Sequence, residues 1–582
     1  MRKIYPLALS LILLSAFAVY ANSGLRLQGP ADKAVQLVLI FPAALGIGTW
    51  GAATFRRDPF LGFFHLLLRL PAGVFLLSIS CLVFAFTLFM AIGPLEGIPK
   101  GGDEAAYLFQ SRIFAQGETA APVPAVDNPA DLFPFRHFIF TDTRWFVMYT
   151  PLHSLLMAPF TSVDLSYLLG PVEAIFSLVG AFLLMRLLAG EKTARVGTAV
   201  MALSPFFLFM SASHMAHNTN LMFVTWALFF LVGGIKSKSF VYQFLCGFLL
   251  GLALNTKPYP IIPWTVTVIL VLAVKLRKAA VPVLFRVALG AILPLAFFMI
   301  SNYHYSGDPF SPAYNLARGG SLLGFGENRA WYPEYGDNAH TPLRGLINVL
   351  KQAGAASTIL LGWPLISLVP ALAIVLDRKK RRESWPLYTA ILIIVPFMFI
   401  HYSASIDYGP RHYYTALPAF ALLAAGGFGV LVRKWGKRAS WTIAVLYVVS
   451  TFLIYIPDGV RLRSRPWQAI DSLPLQTAIA RAVPPAVIFM EASEHGYPNI
   501  MSGLLATDPF LEGDYLFCAH QTTAEDQEHL NGIFYGRNGY LFYMVGRSAF
   551  VEPWTQELSD RLTPERSQRP EWAPVNGPRA DF

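Results

Sequence analysis

The sequence predicts an α-helical polytopic membrane protein of about thirteen spans, followed by a small α/β domain at its C-terminal end. Three observations predict it. Of the 582 residues, 55% are apolar and only 14% charged, which is more apolar surface than one soluble core can hide. Apolar runs such as Phe75–Ile92 and Leu361–Leu376, set between short Lys and Arg clusters, have the length that a hydrocarbon core of roughly 30 Å demands of a helix. Beyond about residue 458 the composition changes: Pro466, Pro474, Pro484 and Pro485 lead into the strand-like stretch Ala486–Met490, and Tyr540–Val545 has the same style.

Taken in order, the spans fall at roughly 5–21, 34–55, 66–93, 165–189, 194–213, 219–235, 239–256, 259–275, 281–301, 346–376, 385–402, 411–432 and 440–457. The first could end as a cleaved secretory signal near Ala21; an uncleaved span fits better, because every later element is already membrane-embedded. With the N-terminus inside, Arg56-Arg57, Lys192 with Arg195, Lys236 with Lys238, Lys275 with Arg277 and Lys278, Arg378–Arg382, and Arg433 with Lys434, Lys437 and Arg438 all fall on one face, as cytoplasmic loops require. The net charge of +10 therefore reports topology, and no nucleic-acid partner is expected. Cys81, Cys246 and Cys518 show neither a disulfide framework nor metal-ligand spacing.

This arrangement divides the chain into N-terminal helices (1–93), a first large outer loop (94–164), a helical core (165–457) with a second outer loop at 302–345, and the C-terminal domain (458–582). Everything long and irregular lies on the outer face, so the chemistry is expected there.

In the first outer loop, Gly101-Gly102-Asp103-Glu104-Ala105-Ala106-Tyr107-Leu108-Phe109-Gln110 sets two carboxylates after flexible glycines and before a helix-compatible run. Two readings are open. A carboxylate there can cap the helix and complement its dipole, or it can serve as a general base near the membrane surface. Downstream, Trp145-Phe146-Val147-Met148-Tyr149-Thr150-Pro151-Leu152-His153 leads into an apolar stretch suited to an interfacial helix.

The Gly-Asp-Glu-x-x-Tyr-Leu-Phe-Gln segment in a first large outer loop, followed by Tyr-x-Pro-x-His, resembles the GT-C class of polyprenyl-phosphate-dependent glycosyltransferases, in the style of protein O-mannosyltransferases and lipid A aminoarabinose transferases. The resemblance extends over roughly 95–430. It implies a GT-C-like fold and an acidic catalytic base in that loop, which by motif position is Asp103 with Glu104 beside it. It also sets Tyr107 and His153, inside the two motifs, near the substrate. One departure is visible: the acidic loop follows the third span rather than the first. Two extra N-terminal spans account for it and keep the loop on the same face.

Other outer-face residues divide between function and structure. In Ser211–Asn220, His214 and His217 could share a helix face and hold a metal, but without a clear third ligand they are read as hydrogen-bonding or substrate-contacting groups. Lys257, in Asn255-Thr256-Lys257-Pro258, is a cation at the outer end of a span. It either snorkels to the interface or, as the resemblance implies, neutralises a donor phosphate. In Asp407-Tyr408-Gly409-Pro410-Arg411-His412, Arg411 offers a bidentate fork to phosphate with His412 beside it; the structural alternative is an Arg411–Asp407 pair. Tyr408 and, in the aromatic and glycine-rich loop 302–345, Arg318 are candidate substrate contacts, the loop reading as a lid.

The expectation is a membrane glycosyltransferase that inverts at the anomeric carbon, with Asp103 as base and Lys257, Arg411 and His412 at the donor phosphate. Its partners would be a polyprenyl-phosphate-linked sugar, a lipid, glycan or protein acceptor, and membrane lipids. No cofactor is required, although a divalent metal stays open. A bacterial inner membrane with a cytoplasmic N-terminus and a periplasmic C-terminal domain fits the sidedness. The alternative is a transporter or flippase of polyprenyl-linked glycan or lipid, which predicts ionisable groups near the midplane and paired broken helices; a catalytically inactive scaffold is a third reading.

Overall fold

Apolar stretches too long for a soluble core become helices packed on one another, and the first long loop shares an apolar core with the C-terminal part. The computed structural model describes residues 5–22, 30–55, 69–318, 323–326, 339–362, 368–401, 409–463, 470–491, 497–545 and 548–563. Its helices include α1 (Tyr5–Asn22), α2 (Pro30–Thr54), α3 (Ala72–Ile92), α4 (Gly102–Ala115), α5 (Leu152–Thr161), α6 (Leu169–Ala189), α7 (Glu191–Ala202), α8 (Pro205–Ala212), α9 (His217–Ser237), α10 (Phe240–Thr256), α11 (Pro258–Leu276), α12 (Ala280–Ser306), α13 (Pro342–Ile359) and α14 (Leu417–Ser450).

Among the described residues, five helical segments are long and apolar enough to cross a bilayer, and a sixth if the pair α7 and α8, bent by 61°, is one span. The chain is an integral membrane protein. Two of these segments, Pro258–Ser306 and Arg411–Val460, each hold two of the spans read from sequence. In the second, Gly436 at φ 62 breaks the helix beside the basic cluster of Arg433, Lys434, Lys437 and Arg438, where the reading placed a cytoplasmic turn. The stretch at 194–213 is likewise broken, because Ser204 caps α8 through the Phe207 amide and Pro205 occupies its first turn.

Close backbone approach fixes one pair of helices that matters for the site. A Cβ at Gly247 or Gly290 would lie within 1.9 Å of a backbone carbonyl of the facing helix, and one at Gly251 would meet Pro294 Cβ at 2.6 Å. Only glycine allows α10 and α12 to touch this way, the small-residue packing expected between helices in lipid. Asn255 then donates to the Pro294 carbonyl at 2.8 Å, tying down the last turn of α10 just before Lys257.

The C-terminal part holds strands at both strand-like runs. Strands β4 (Ala486–Met490), β5 (Tyr515–Ala519), β6 (Asn538–Val545) and β7 (Ser548–Pro553) form a sheet in the order β5-β4-β6-β7, with β4 parallel to β5 and β6, and β6 antiparallel to β7. β4 is buried along its whole length, consistent with a central parallel strand covered on both faces. The first outer loop carries a smaller sheet, β1 (Ala121–Pro122), β2 (Phe138–Phe140) and β3 (Arg144–Val147), in the order β1-β3-β2. Its side chains share one apolar core with α4 and the C-terminal domain. Arg112 of α4 donates to the Leu505 carbonyl, and Ser472 bonds Glu96 at 2.9 Å. The domain therefore braces the helix that begins with the acidic pair.

Candidate active site

Helix α4 starts where Gly101, extended at φ −150, hands the chain to Gly102, and no side chain caps it. Asp103 therefore does not act as a cap: its carboxylate turns outward from the helix. Tyr149 donates to Oδ1 at 2.6 Å and Arg411 Nη1 to Oδ2 at 3.2 Å. Lys257 Nζ lies 3.9 Å from Oδ2 and His137 Nε2 3.5 Å from Oδ1. Burial alone would raise this carboxyl, but the His137 hydrogen bond and the charges of Arg411 and Lys257 outweigh it and hold Asp103 well below the usual carboxylate range.

Each partner is delivered by a separate element. Gly102 lets His137 in, since a Cβ there would meet the ring at 2.7 Å. Tyr107 stacks on Tyr149 at 4.8 Å, and Gln110 accepts from the Val147 amide at 3.2 Å, so the first motif grips β3 and the Tyr149 segment after it. Arg411 begins a 3-10 turn, Arg411–Ala416, placed by Gly409 at φ +79, where a Cβ would press on Phe206 at 2.9 Å.

Around this ion cluster lie polar groups with nothing to bond. Both ring nitrogens of His217 and of His412, and the Tyr107 hydroxyl, are buried without a hydrogen-bond partner among the described residues. The two imidazoles feel the charges of Lys257, Arg411 and Asp103. Unpaired buried polar groups are costly, and several converging on two cations mark a place shaped for an anionic, hydrogen-bonding ligand.

Residues 151–301 match the family model of dolichyl-phosphate-mannose-protein mannosyltransferases. Among solved structures, the chain is similar to ArnT from Cupriavidus metallidurans bound to undecaprenyl phosphate, with 16% identity and a TM-score of 0.50 over 82% of this chain and 97% of that one. It is similar also to the apo form of the same protein, with 16% identity and a TM-score of 0.51 over 84% and 98%. The chain has the GT-C fold. No curated protein matches it by sequence.

On this GT-C scaffold, Asp103, Lys257, Arg411, His412, His217 and Tyr107 come together. Glu104 points elsewhere: it is buried and accepts from the His214 backbone amide at 3.1 Å, since neighbours on a helix project about 100° apart. His153 packs edge-on to Tyr107 at 4.9 Å and bonds Thr219 and the His214 carbonyl, while the His214 ring bonds Ser166 at 3.0 Å. The His214 ring is engaged by Ser166 whereas the His217 ring lies by the ion cluster, and no group of three metal-ligating side chains occurs among the described residues. Tyr408 and Asp407 lie outside the described residues, as do the Arg318 side chain and, within the loop at 302–345 that the sequence offers as a lid, residues 319–322 and 327–338.

The fold adds two members to the cluster, Tyr149 and His137, that the sequence does not single out. Tyr149 was present in the Tyr-x-Pro-x-His motif, and its hydroxyl was the signal available. His137 carries none: it sits among phenylalanines ahead of β2 and reaches Asp103 only through the fold.

Proposed function

We propose that the chain is a membrane glycosyltransferase that moves a sugar from a polyprenyl-phosphate donor to an acceptor on the extracytoplasmic face, with inversion. The observation that carries this reading is the Asp103 carboxylate held between Arg411 and Lys257 and ringed by the unpaired groups of His217, His412 and Tyr107. The undecaprenyl phosphate held by ArnT, a protein of this fold, supports the donor class.

The donor phosphate would take Arg411 and Lys257, with the two imidazoles as further contacts. Asp103, released from them, accepts the proton of an acceptor hydroxyl or amine. The acceptor atom bonds to the anomeric carbon as the carbon–oxygen bond to phosphate breaks, and the electron pair leaves with polyprenyl phosphate, whose charge the cations neutralise. Charge on the cations is then diverted from the carboxylate at the moment its basicity is needed. The expected location is a bacterial inner membrane, with the C-terminal domain on the periplasmic side.

The test is transfer of radiolabelled sugar from a panel of purified polyprenyl-phosphate sugars to membrane extracts, comparing the intact chain with Asp103→Asn at matched folded amounts. Donor consumption by the intact chain alone supports the reading. Consumption of no donor, with binding and translocation of a polyprenyl-linked glycan in vesicles, favours a flippase.

Lys257 gives a pH signature. Burial lowers its ammonium to about 7, with Arg411 adding to the shift and Asp103 opposing it. The cation is therefore present below neutrality and lost as pH rises through about 7. The donor KM is expected to climb across that range. Lys257→Arg, whose guanidinium does not titrate, should flatten the climb even where it lowers kcat; a KM profile unchanged by Lys257→Arg would remove Lys257 from the phosphate site.

A further inference from the structure

The four residues that open α9 do more than supply His217. Asn218 accepts from the Tyr414 hydroxyl at 3.0 Å and donates to the Gly170 carbonyl at 2.8 Å, anchoring the turn that bears Arg411. Asn220 donates to the Ala253 and Lys257 carbonyls at 2.9 and 3.2 Å, anchoring the junction that bears Lys257. Between them, Thr219 makes two short contacts: 2.5 Å to Glu173 Oε1 and 2.6 Å to His153 Nδ1. Glu173, Thr219 and His153 are all buried.

Counting protons along this chain shows that it holds one more than its composition supplies. The far nitrogen of His153, Nε2, lies 3.0 Å from the His214 carbonyl, which only accepts, so Nε2 carries a hydrogen. In a neutral imidazole Nδ1 must then accept, and Thr219 must donate to it. Thr219 has a single hydroxyl hydrogen, so its contact with Glu173 is a hydrogen bond only if the carboxyl donates. The other solution places the extra proton on Nδ1 and opposes an imidazolium to a carboxylate. Two charges in an apolar interior cost more than a neutral acid and a neutral ring. Burial also lowers the His153 imidazole to about 4, although the His214 carbonyl opposes this, so the ring is the weaker holder of the proton.

We infer that Glu173 is a positioning residue held as a neutral carboxylic acid, whose donation through Thr219 to His153 locks the start of α9 and so sets the Arg411 turn, the Lys257 junction and His217 around the donor site. It touches no reacting atom. The inference rests on the transferase reading for its kinetic arm alone, because the protonation state is read separately.

The measurement uses the purified full chain at neutral pH in two arms. In the kinetic arm, Glu173→Gln, whose amide donates to Thr219 as the acid does, is expected to keep kcat and donor KM within about threefold of the intact chain. Glu173→Ala, which leaves the Thr219 oxygen without its donor, and Thr219→Val, which leaves the His153 ring nitrogen and the Glu173 acid unpaired, should raise donor KM about 10- to 100-fold with a smaller effect on kcat. In the spectroscopic arm, the infrared difference between the intact chain and Glu173→Gln should show a carboxylic acid C=O stretch present in the first and missing in the second. Glu173→Gln as impaired as Glu173→Ala, or no acid band lost, would overturn the neutral acid; unchanged donor KM in Glu173→Ala and Thr219→Val would overturn the positioning role. Should Glu173→Ala not fold, Thr219→Val and the infrared arm decide the matter. If the intact chain transfers no sugar, the transferase reading fails while the infrared arm still tests Glu173.

Discussion

Asp103→Asn is expected to lower sugar transfer by about 10²- to 10⁴-fold, the usual range for a positioned general base. The amide keeps the size and the hydrogen-bonding oxygen that Tyr149 reaches at 2.6 Å, so the loss reports proton transfer rather than collapse of the loop. The low proton affinity of the Asp103 carboxylate looks at first like a poor property for a base. It has a definite source, however: after the opposing effect of burial come the His137 bond and the charges of Arg411 and Lys257. On the proposed mechanism a donor phosphate would compete for the same cations, and as they turned to it the carboxyl would regain basicity. Transfer at matched folded amounts measures the effect, and an Asp103→Asn chain with full activity would move the base elsewhere.

Arg411→Ala is the second large effect, expected at about 10²- to 10³-fold in kcat, as for removal of one donor aimed at developing charge. Arg411 meets Asp103 Oδ2 at 3.2 Å in the resting site, and its fork suits two phosphate oxygens. Arg411→Lys should recover only part of the loss, because a point charge lacks the fork. The alanine variant also removes one of the charges that depress Asp103, so the acid limb of its residual activity should shift toward higher pH. The sign follows from the structure: Arg411 lowers this carboxyl, and its removal raises it. A pH profile of kcat/KM for the intact chain and Arg411→Ala checks both the size and the direction.

What could be read from the sequence followed from patterns local to the chain. Apolar length gave the helices, and Ala486–Met490 and Tyr540–Val545 were readable as strands because short apolar runs bounded by prolines and turns have few alternatives. Lys257 and Arg411 are legible because charges at the outer ends of apolar runs need a reason, and Asp103 through the motif that resembles the GT-C class. The directions of side chains were not legible. Asp103 and Glu104 look equivalent in sequence, yet one faces the cations and the other the His214 amide. His137 meets Asp103 across a gap that only Gly102 leaves open. Glu173 lies inside an apolar run, and its meaning appears only when Thr219, 46 residues away, is brought to 2.5 Å. In sequence the near candidate partner of Arg411 is Asp407; in the fold it meets Asp103, 308 residues distant, which no local pattern signals.

The central claim is that Asp103 occupies, in the resting chain, the cations that a donor phosphate will take. Equilibrium binding of undecaprenyl phosphate to the intact chain and to Asp103→Asn tests it most directly. Removing the carboxylate takes away both a competitor and a repulsive charge, so the variant is expected to bind about tenfold more tightly, roughly 1.4 kcal/mol, even as transfer is lost. Equal or weaker binding by Asp103→Asn would contradict the account, because Arg411 and Lys257 would then not be shared between the carboxylate and the phosphate.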